Sequence, residues 1–357
     1  MIQSRNVPDA PVDTTTSLNA SRLFTTWLHE QNASLAFSTY QAGKLFFVGL
    51  NAQRQLAIFN RTLARVMGLA VHGSSLWVAT LWQLWRFENA LQFGQTHGEH
   101  DAWYVPQLAY TTGDIDVHDV AVDGSGEPVF VSTLFSALAR PSPQYSFHPI
   151  WKPSFVSRYA AEDRCHLNGL AMRNGQPSHV TCVGRSDANE GWREHRVSGG
   201  LLIDVARNEV VCEGLSMPHS PRWHQGRLWL LNAGSGEFGW VDLARGRFEP
   251  VAFCPGFLRG LTFIHHYAVV GLSEQRQNRS FTGLPLDKRL QDKGVTARCA
   301  LQVIDLRTGD VVHELRIEGA ISELFDVAIV PGVRNCGAVG FRNDEIRRTL
   351  VLPPPER

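Results

Sequence analysis

The sequence has no Cys-x-x-Cys pair; its six cysteines stand apart at 165, 182, 212, 254, 299 and 336. That excludes a zinc knuckle and a dense disulfide framework, and the expectation is buried, reduced thiols in a cytoplasmic protein. No apolar run reaches membrane-spanning length, and the first residues lack the apolar core of a secretory signal, so no membrane partner is expected. Neither sign of charge prevails. Lys plus Arg and Asp plus Glu number 34 each, without a long run of one sign, so no nucleic-acid partner is expected. No Gly-x-Ser-x-Gly elbow occurs, and the glycines around Ser125 and Ser235 open no helix, so neither a nucleophile elbow nor a phosphate loop is read.

What the sequence does have is a repeat. Met67-Gly68-Leu69-Ala70 returns as His118-Asp119-Val120-Ala121, Asn168-Gly169-Leu170-Ala171, His219-Ser220-Pro221-Arg222, Arg259-Gly260-Leu261-Thr262 and Phe325-Asp326-Val327-Ala328. Each copy has a variable first residue, a small or acidic second one, a short apolar strand and then usually a turn. Most are followed by a second strand, such as Leu76–Ala79 or Leu228–Leu231. The steps between first residues are 51, 50, 51, 40 and 66, the last two together spanning about two units. Self-similarity at this period signals radially repeated four-stranded sheets. An apolar fraction of 43%, with ten Trp and nineteen Phe, suits sheet faces packed on one another.

The fold class read from this is all-β, a six-bladed β-propeller with a short N-terminal helix. After Phe325 the chain supplies one strand; before Met67 it supplies three, near 34–40, 45–50 and 55–60. One and three make a sixth blade, so both chain ends close the ring and remove the open sheet edge. Seven blades is the alternative, if residues 34–66 form a blade of their own. Residues 1–18 read as a mobile arm and 19–32 as an amphipathic helix through Leu23, Phe24, Trp27 and Leu28. Residues 33–345 form a single propeller domain, and 346–357 are a C-terminal tail.

In a propeller, loops entering the inner strands and loops joining second to third strands open on one face, here called the top. That geometry gathers His118, His166, Asn168, His219 and Glu323 at one channel mouth, although they belong to different blades. Imidazoles with a carboxylate suit zinc, iron or manganese, and an amide oxygen suits calcium or magnesium, so these five are the candidate ligands of a divalent metal. A polar pocket without metal, or histidines that merely plug the channel, are the competing readings. Asp116 is the candidate general base. Arg259, at the repeat position of His118 and His219, is suited to grip a carboxylate or phosphate. Tyr40, Gln41, Lys44, Arg185, Arg193 and Arg276, from the top loops, complete a candidate substrate-binding set. Asp119 and Asp326 occupy equivalent repeat positions, and for them the expectation is structural: each accepts backbone hydrogen bonds that tie neighbouring blades.

The strings Thr39–Lys44, Thr112–Asp119, Cys165–Leu170, Ser216–Trp223, Val270–Arg276 and Glu323–Asp326 together resemble a bacterial family of conserved hypothetical proteins that carry a domain of unknown function. The likeness runs from about 33 to 330 and implies a fold without implying a reaction. Asn168-Gly169-Leu170-Ala171 more loosely resembles the inner strands of gluconolactonase-type six-bladed propellers, where Asn and acidic residues hold a divalent cation. The present ring departs from them in its histidines and Arg259. Propellers resembling carotenoid oxygenases hold iron through four histidines; three are well placed here.

The expected function is therefore a metal-dependent enzyme, of hydrolase or oxygenase class, acting on a small anionic molecule or acidic peptide at the top of the channel. The alternative is a non-catalytic propeller scaffold whose top surface binds a ligand or a protein partner.

Overall fold

The computed structural model describes residues 16–274 and 282–353. Six sheets are built from consecutive antiparallel strands, each in the order inner to outer. Blade 1 takes its inner strand, Asp326–Pro331, from near the C-terminus and its other three, Ala33–Thr39, Lys44–Leu50 and Leu56–Thr62, from near the N-terminus. Blades 2 to 6 begin with inner strands Leu69–His72, Val117–Val122, Leu167–Arg173, Pro218–His224 and Phe257–Ile264. Each inner strand touches the next around a complete circle, so the ring has six blades and is closed by both chain ends, as the repeat predicts.

The repeat's second residue explains how the inner strands lock together. It alternates between a small residue and a polar one: Gly68, Asp119, Gly169, Ser220, Gly260 and Asp326. Each polar residue binds the following blade. Asp119 accepts the Leu170 N–H at 2.9 Å, Ser220 Oγ accepts the Gly260 N–H at 3.2 Å, and Asp326 accepts the Leu69 N–H at 2.8 Å. Each glycine lets the following polar strand come close. A Cβ on Gly169 would stand 2.4 Å from Pro221 Cδ, and one on Gly260, whose φ of +80° already favours glycine, 2.7 Å from the Val327 nitrogen. Six blades thus alternate twofold within a threefold pattern. Arg222, from blade 5, adds a bidentate ion pair to Asp119 at 2.7 and 2.9 Å beside the channel.

Two features lie outside the repeat. Thr16–Ala20 pairs antiparallel with Val311–Gly319 as a fifth strand of blade 6, where the sequence reading ended a mobile arm at residue 18. The rest of that arm, residues 1–15, lies outside the described residues. Cys336–Ala338 pairs parallel with Ala102–Thr111 as a fifth strand of blade 2. Both chain ends therefore run past the closing blade and cover the outer edges of its two neighbours. Helix Phe24–Glu30 buries Phe24, Trp27 and Leu28 against blades 6 and 1, while Leu23 stays exposed. A short helix, Glu345–Arg348, straddles the expected boundary between propeller and tail, with Glu345 paired to Arg61 at 2.9 Å.

All six cysteines are buried and unbridged. Among the described residues no helix is long and apolar enough to cross a membrane. The segment between Cys182 and Gly200 carries a one-turn helix, Gly191–His195, and the segment between Ser273 and Ala300 carries helix Pro285–Lys293. Both helices belong to connections from a second to a third strand, which open on the top face.

Candidate functional site

The first residue of each repeat enters an inner strand at the top, which brings His118, Asn168, His219, Arg259 and Phe325 together. The His118 ring lies 5.0 Å from that of His166, 6.4 Å from that of His219 and 5.2 Å from that of Phe325. Asn168 Nδ2 reaches His219 Nε2 at 3.3 Å, and the Arg259 guanidinium sits 4.9 Å over the Phe325 ring and 5.7 Å over that of Phe257. All of these polar side chains are buried.

Hydrogen bonding fixes which nitrogen of each imidazole carries its proton. His219 Nδ1 lies 2.9 Å from the Met217 carbonyl, which can only accept, so Nδ1 is the protonated nitrogen. Asn168 then donates its amide N–H to His219 Nε2, and its Oδ1 accepts the Thr181 hydroxyl at 2.8 Å. The Thr133 hydroxyl gives its hydrogen to the Leu167 carbonyl at 2.5 Å and is left to accept from His118 Nδ1 at 2.8 Å. His118 Nε2 is therefore a lone pair, buried and without a hydrogen-bond partner among the described residues. His166 Nδ1 donates to Asp163 Oδ2 at 2.8 Å. All three imidazoles commit Nδ1–H to an oxygen, and His118 and His219 carry a lone pair on Nε2.

Burial holds His118 well below the usual histidine range, with His166 and Arg259 adding to the effect. Burial, Arg259 and His118 do the same to His219. Both are neutral at physiological pH. Arg259 lies 3.7 Å from Glu323, a loose pair in which both groups are buried.

The expected metal set does not assemble in this arrangement. Asn168 turns its oxygen to Thr181, His219 Nε2 takes the Asn168 amide hydrogen, and Glu323 faces Arg259. Two imidazoles remain, and no group of three His, Cys, Asp or Glu among the described residues is arranged to hold an ion. A guanidinium beside His118 and His219 is also a poor neighbour for a dication. These residues do not fit a resident metal.

The other expected residues scatter more widely. Asp116 lies behind His118, its carboxylate 3.5 Å from Nδ1, so it supports the ring on the side away from the lone pair. Tyr40 stacks on Phe325 at 5.4 Å and joins the wall of the site. Arg193 pairs with Glu190 at 2.7 Å and lies over Trp192, at the rim above His166. Gln41 is exposed and Lys44 half-buried, and neither is drawn into the histidine group. Arg185 is exposed and lies over Phe155, lining a separate outer groove of about 380 Å³ with Ile203, Asn208 and Val210. Arg276 lies outside the described residues.

Sequence reasoning missed Asp163, Thr133 and Trp192. Trp192 comes from the Cys182–Gly200 segment, packs its ring 4.2 Å from that of His166, and donates Nε1–H to Asp163 Oδ2 at 2.8 Å. An acid three residues before a candidate histidine was the one available signal.

A chain of the nidogen/laminin complex resembles this fold with a TM-score of 0.52 at 10% identity, covering 84% of this chain and 99% of that one. Virginiamycin B lyase from Staphylococcus aureus gives a TM-score of 0.40 at 11% identity, covering 72% of this chain and 96% of that one. At such identities the likeness to the nidogen/laminin chain shows the fold alone. No curated protein matches the sequence. The domain of unknown function DUF4915 matches residues 22–339, and the chain belongs to that family.

Proposed function

We propose that the protein is a hydrolase that works by general acid–base catalysis on a small anionic molecule or acidic peptide at the top of the channel. The carrying observation is the buried, unpartnered lone pair on His118 Nε2, in a group of three imidazoles whose Nδ1 hydrogens are all committed to oxygens. A buried acceptor without a donor is costly unless something arrives to meet it. Water or a substrate hydroxyl is such a donor. The imidazole group takes a proton from water while the water oxygen attacks a carbonyl or phosphoryl centre, and returns it to the leaving group. Arg259 supplies the fixed positive charge that holds the anionic part of the substrate, and Tyr40 and Phe325 supply an apolar wall.

Acid–base rather than metal-assisted chemistry is favoured because three of the five expected ligands have other partners. An oxygenase reaction, which would need such a metal, is accordingly not part of the proposal. Six buried reduced thiols suit a cytoplasmic setting.

The test is hydrolysis of a panel of carboxylate-bearing esters, lactones and phosphate monoesters. Turnover should fall about 10-fold in His118→Ala, which removes the buried acceptor for the incoming water or substrate hydroxyl. Ligand binding without turnover by the unaltered protein would favour the scaffold alternative.

A further inference from the structure

We infer that His166 is the imidazole of the three that exchanges a proton with water or substrate, and that Asp163 is the positioning residue that gives it this role; this rests on the acid–base reading above. The three rings look alike until the partner of Nδ1–H is considered. His118 donates to a hydroxyl, with the Asp116 carboxylate farther off at 3.5 Å, His219 to a main-chain carbonyl, and His166 directly to a carboxylate at 2.8 Å. A hydroxyl or carbonyl fixes a ring but offers only a dipole to a cation. A carboxylate fixes the ring and also stabilises the imidazolium that forms when Nε2 takes a proton. Burial and Arg259 keep the other two rings neutral, so uptake of a proton there is opposed.

The setting of Asp163 supports this division. Its Oδ2 receives both the His166 and the Trp192 N–H, each at 2.8 Å, while its Oδ1 is buried with no hydrogen-bond partner among the described residues. That carboxylate is incompletely compensated until His166 carries a second proton. Asp163 and His166 have φ of +43° and +51°, a left-handed backbone that non-glycine residues avoid. The strained turn aims the acid at the ring three residues on, and Trp192 clamps the ring face. Other charged or titratable neighbours are Glu190 and Arg193, paired with each other above Trp192, His118 and His219 across the site, and the thiols of Cys165 and Cys182 behind it.

In the reaction, His166 Nε2 takes the proton of a water as the water oxygen bonds to the electrophilic centre. The resulting imidazolium gives that proton to the leaving group as its bond breaks. Asp163 keeps its hydrogen bond to Nδ1–H throughout and does not accept the proton.

The experiment is side-chain nitrogen NMR of the histidines in the full chain, with thermal melts to confirm folding of each variant. Three results are expected. His166 carries its hydrogen on Nδ1 when neutral; it is the first of the three rings to be protonated on acidification; and Asp163→Ala moves its neutral hydrogen toward Nε2. Asp163→Asn, which keeps an oxygen acceptor but removes the charge, should retain the Nδ1–H form and lose the early protonation. Earlier protonation of His118 or His219, or an unchanged His166 tautomer in Asp163→Ala, would overturn the inference. On a substrate that is turned over, Asp163→Asn should lower kcat at least about 10-fold with KM within about twofold and displace the acidic limb of the pH profile. A change confined to the melting temperature would mean a structural role only. If the NMR results hold and nothing on the panel is hydrolysed, the proton-exchange assignment stands and the hydrolase reading fails.

Discussion

Asp326 Oδ2 accepts the Leu69 N–H at 2.8 Å, so the strand that closes the ring is tied to the first strand of the next blade by a buried carboxyl. Its Oδ1 accepts the Val327 N–H at 2.9 Å, and the nearest balancing cation, Arg222, is committed to Asp119. Burial, and then the negative charge of Asp119, push Asp326 up from 3.8 to about 7.

Stability should therefore depend on this one group in a definite direction. Between those two pH values the folded chain holds a proton that the unfolded chain has released. The contribution is fully present below about 3.8 and is lost as pH rises through about 7. Over two pH units inside that window the loss is about 2–3 kcal/mol. Urea unfolding of the protein and of Asp326→Asn at pH 5 and pH 7 should show the difference between them changing by that amount, to the disadvantage of the unaltered protein at pH 7. A difference that stays constant with pH would mean that Asp326 does not hold the proton.

Arg222 makes the complementary case. Removing its guanidinium leaves Asp119 buried with its charge unpaired, so Arg222→Ala should cost about 3–5 kcal/mol in chemical denaturation. The double variant Asp119→Asn with Arg222→Leu has no stranded charge and should recover a good part of that loss. Equal losses in the single and double variants would show that packing, rather than charge, sets the cost.

Much of this frame could be read before any coordinates. The alternation of Gly68, Gly169 and Gly260 with Asp119, Ser220 and Asp326 is visible along the chain, because inner-strand contact demands a small residue facing a polar one. One strand after Phe325 and three before Met67 give the closing blade by simple subtraction. Thr16–Ala20 was less legible: a short polar segment becomes a strand because blade 6 offers it an edge, and the edge is not written in the segment. Arg185 follows a top-opening loop, yet its side chain turns outward over Phe155, a choice of rotamer rather than of sequence. The metal expectation rested on Asn168 presenting its oxygen, and the hydroxyl that turns that oxygen away belongs to Thr181 on the neighbouring strand.

The neutral histidines should make the protein sensitive to acid, with the opposite sign to Asp326. Burial keeps His118 and His219 unprotonated in the fold, whereas in the unfolded chain they take up protons near 6.5. Their contribution is present above about 6.5 and is lost as pH falls below it. His219→Gln gives up the hydrogen bond to the Met217 carbonyl and should be destabilising at pH 7.5. At pH 5 the penalty of the unaltered ring offsets that loss by up to about 2 kcal/mol. Thermal or urea unfolding at the two pH values measures the change, and an equal effect at both would mean that His219 is protonated as readily in the fold as out of it.

Metal content discriminates most directly between the two chemistries the top face could support. Protein purified without chelator should carry far less than one equivalent of zinc, iron or manganese. Added zinc at a hundredfold excess over a site-type dissociation constant would stabilise a true site by about 2.7 kcal/mol, and no such shift is expected. The reason lies in Asn168, whose oxygen accepts the Thr181 hydroxyl and whose N–H occupies His219 Nε2. Thr181→Val removes the group that fixes the amide orientation. Asn168 is then free to turn its oxygen toward the imidazoles and release His219, but Arg259 still stands beside them. Metal uptake should therefore appear in Thr181→Val combined with Arg259→Ala and not in the unaltered protein. One equivalent of metal in the unaltered protein, lost in His118→Ala, would reverse the assignment and restore the histidines as ligands.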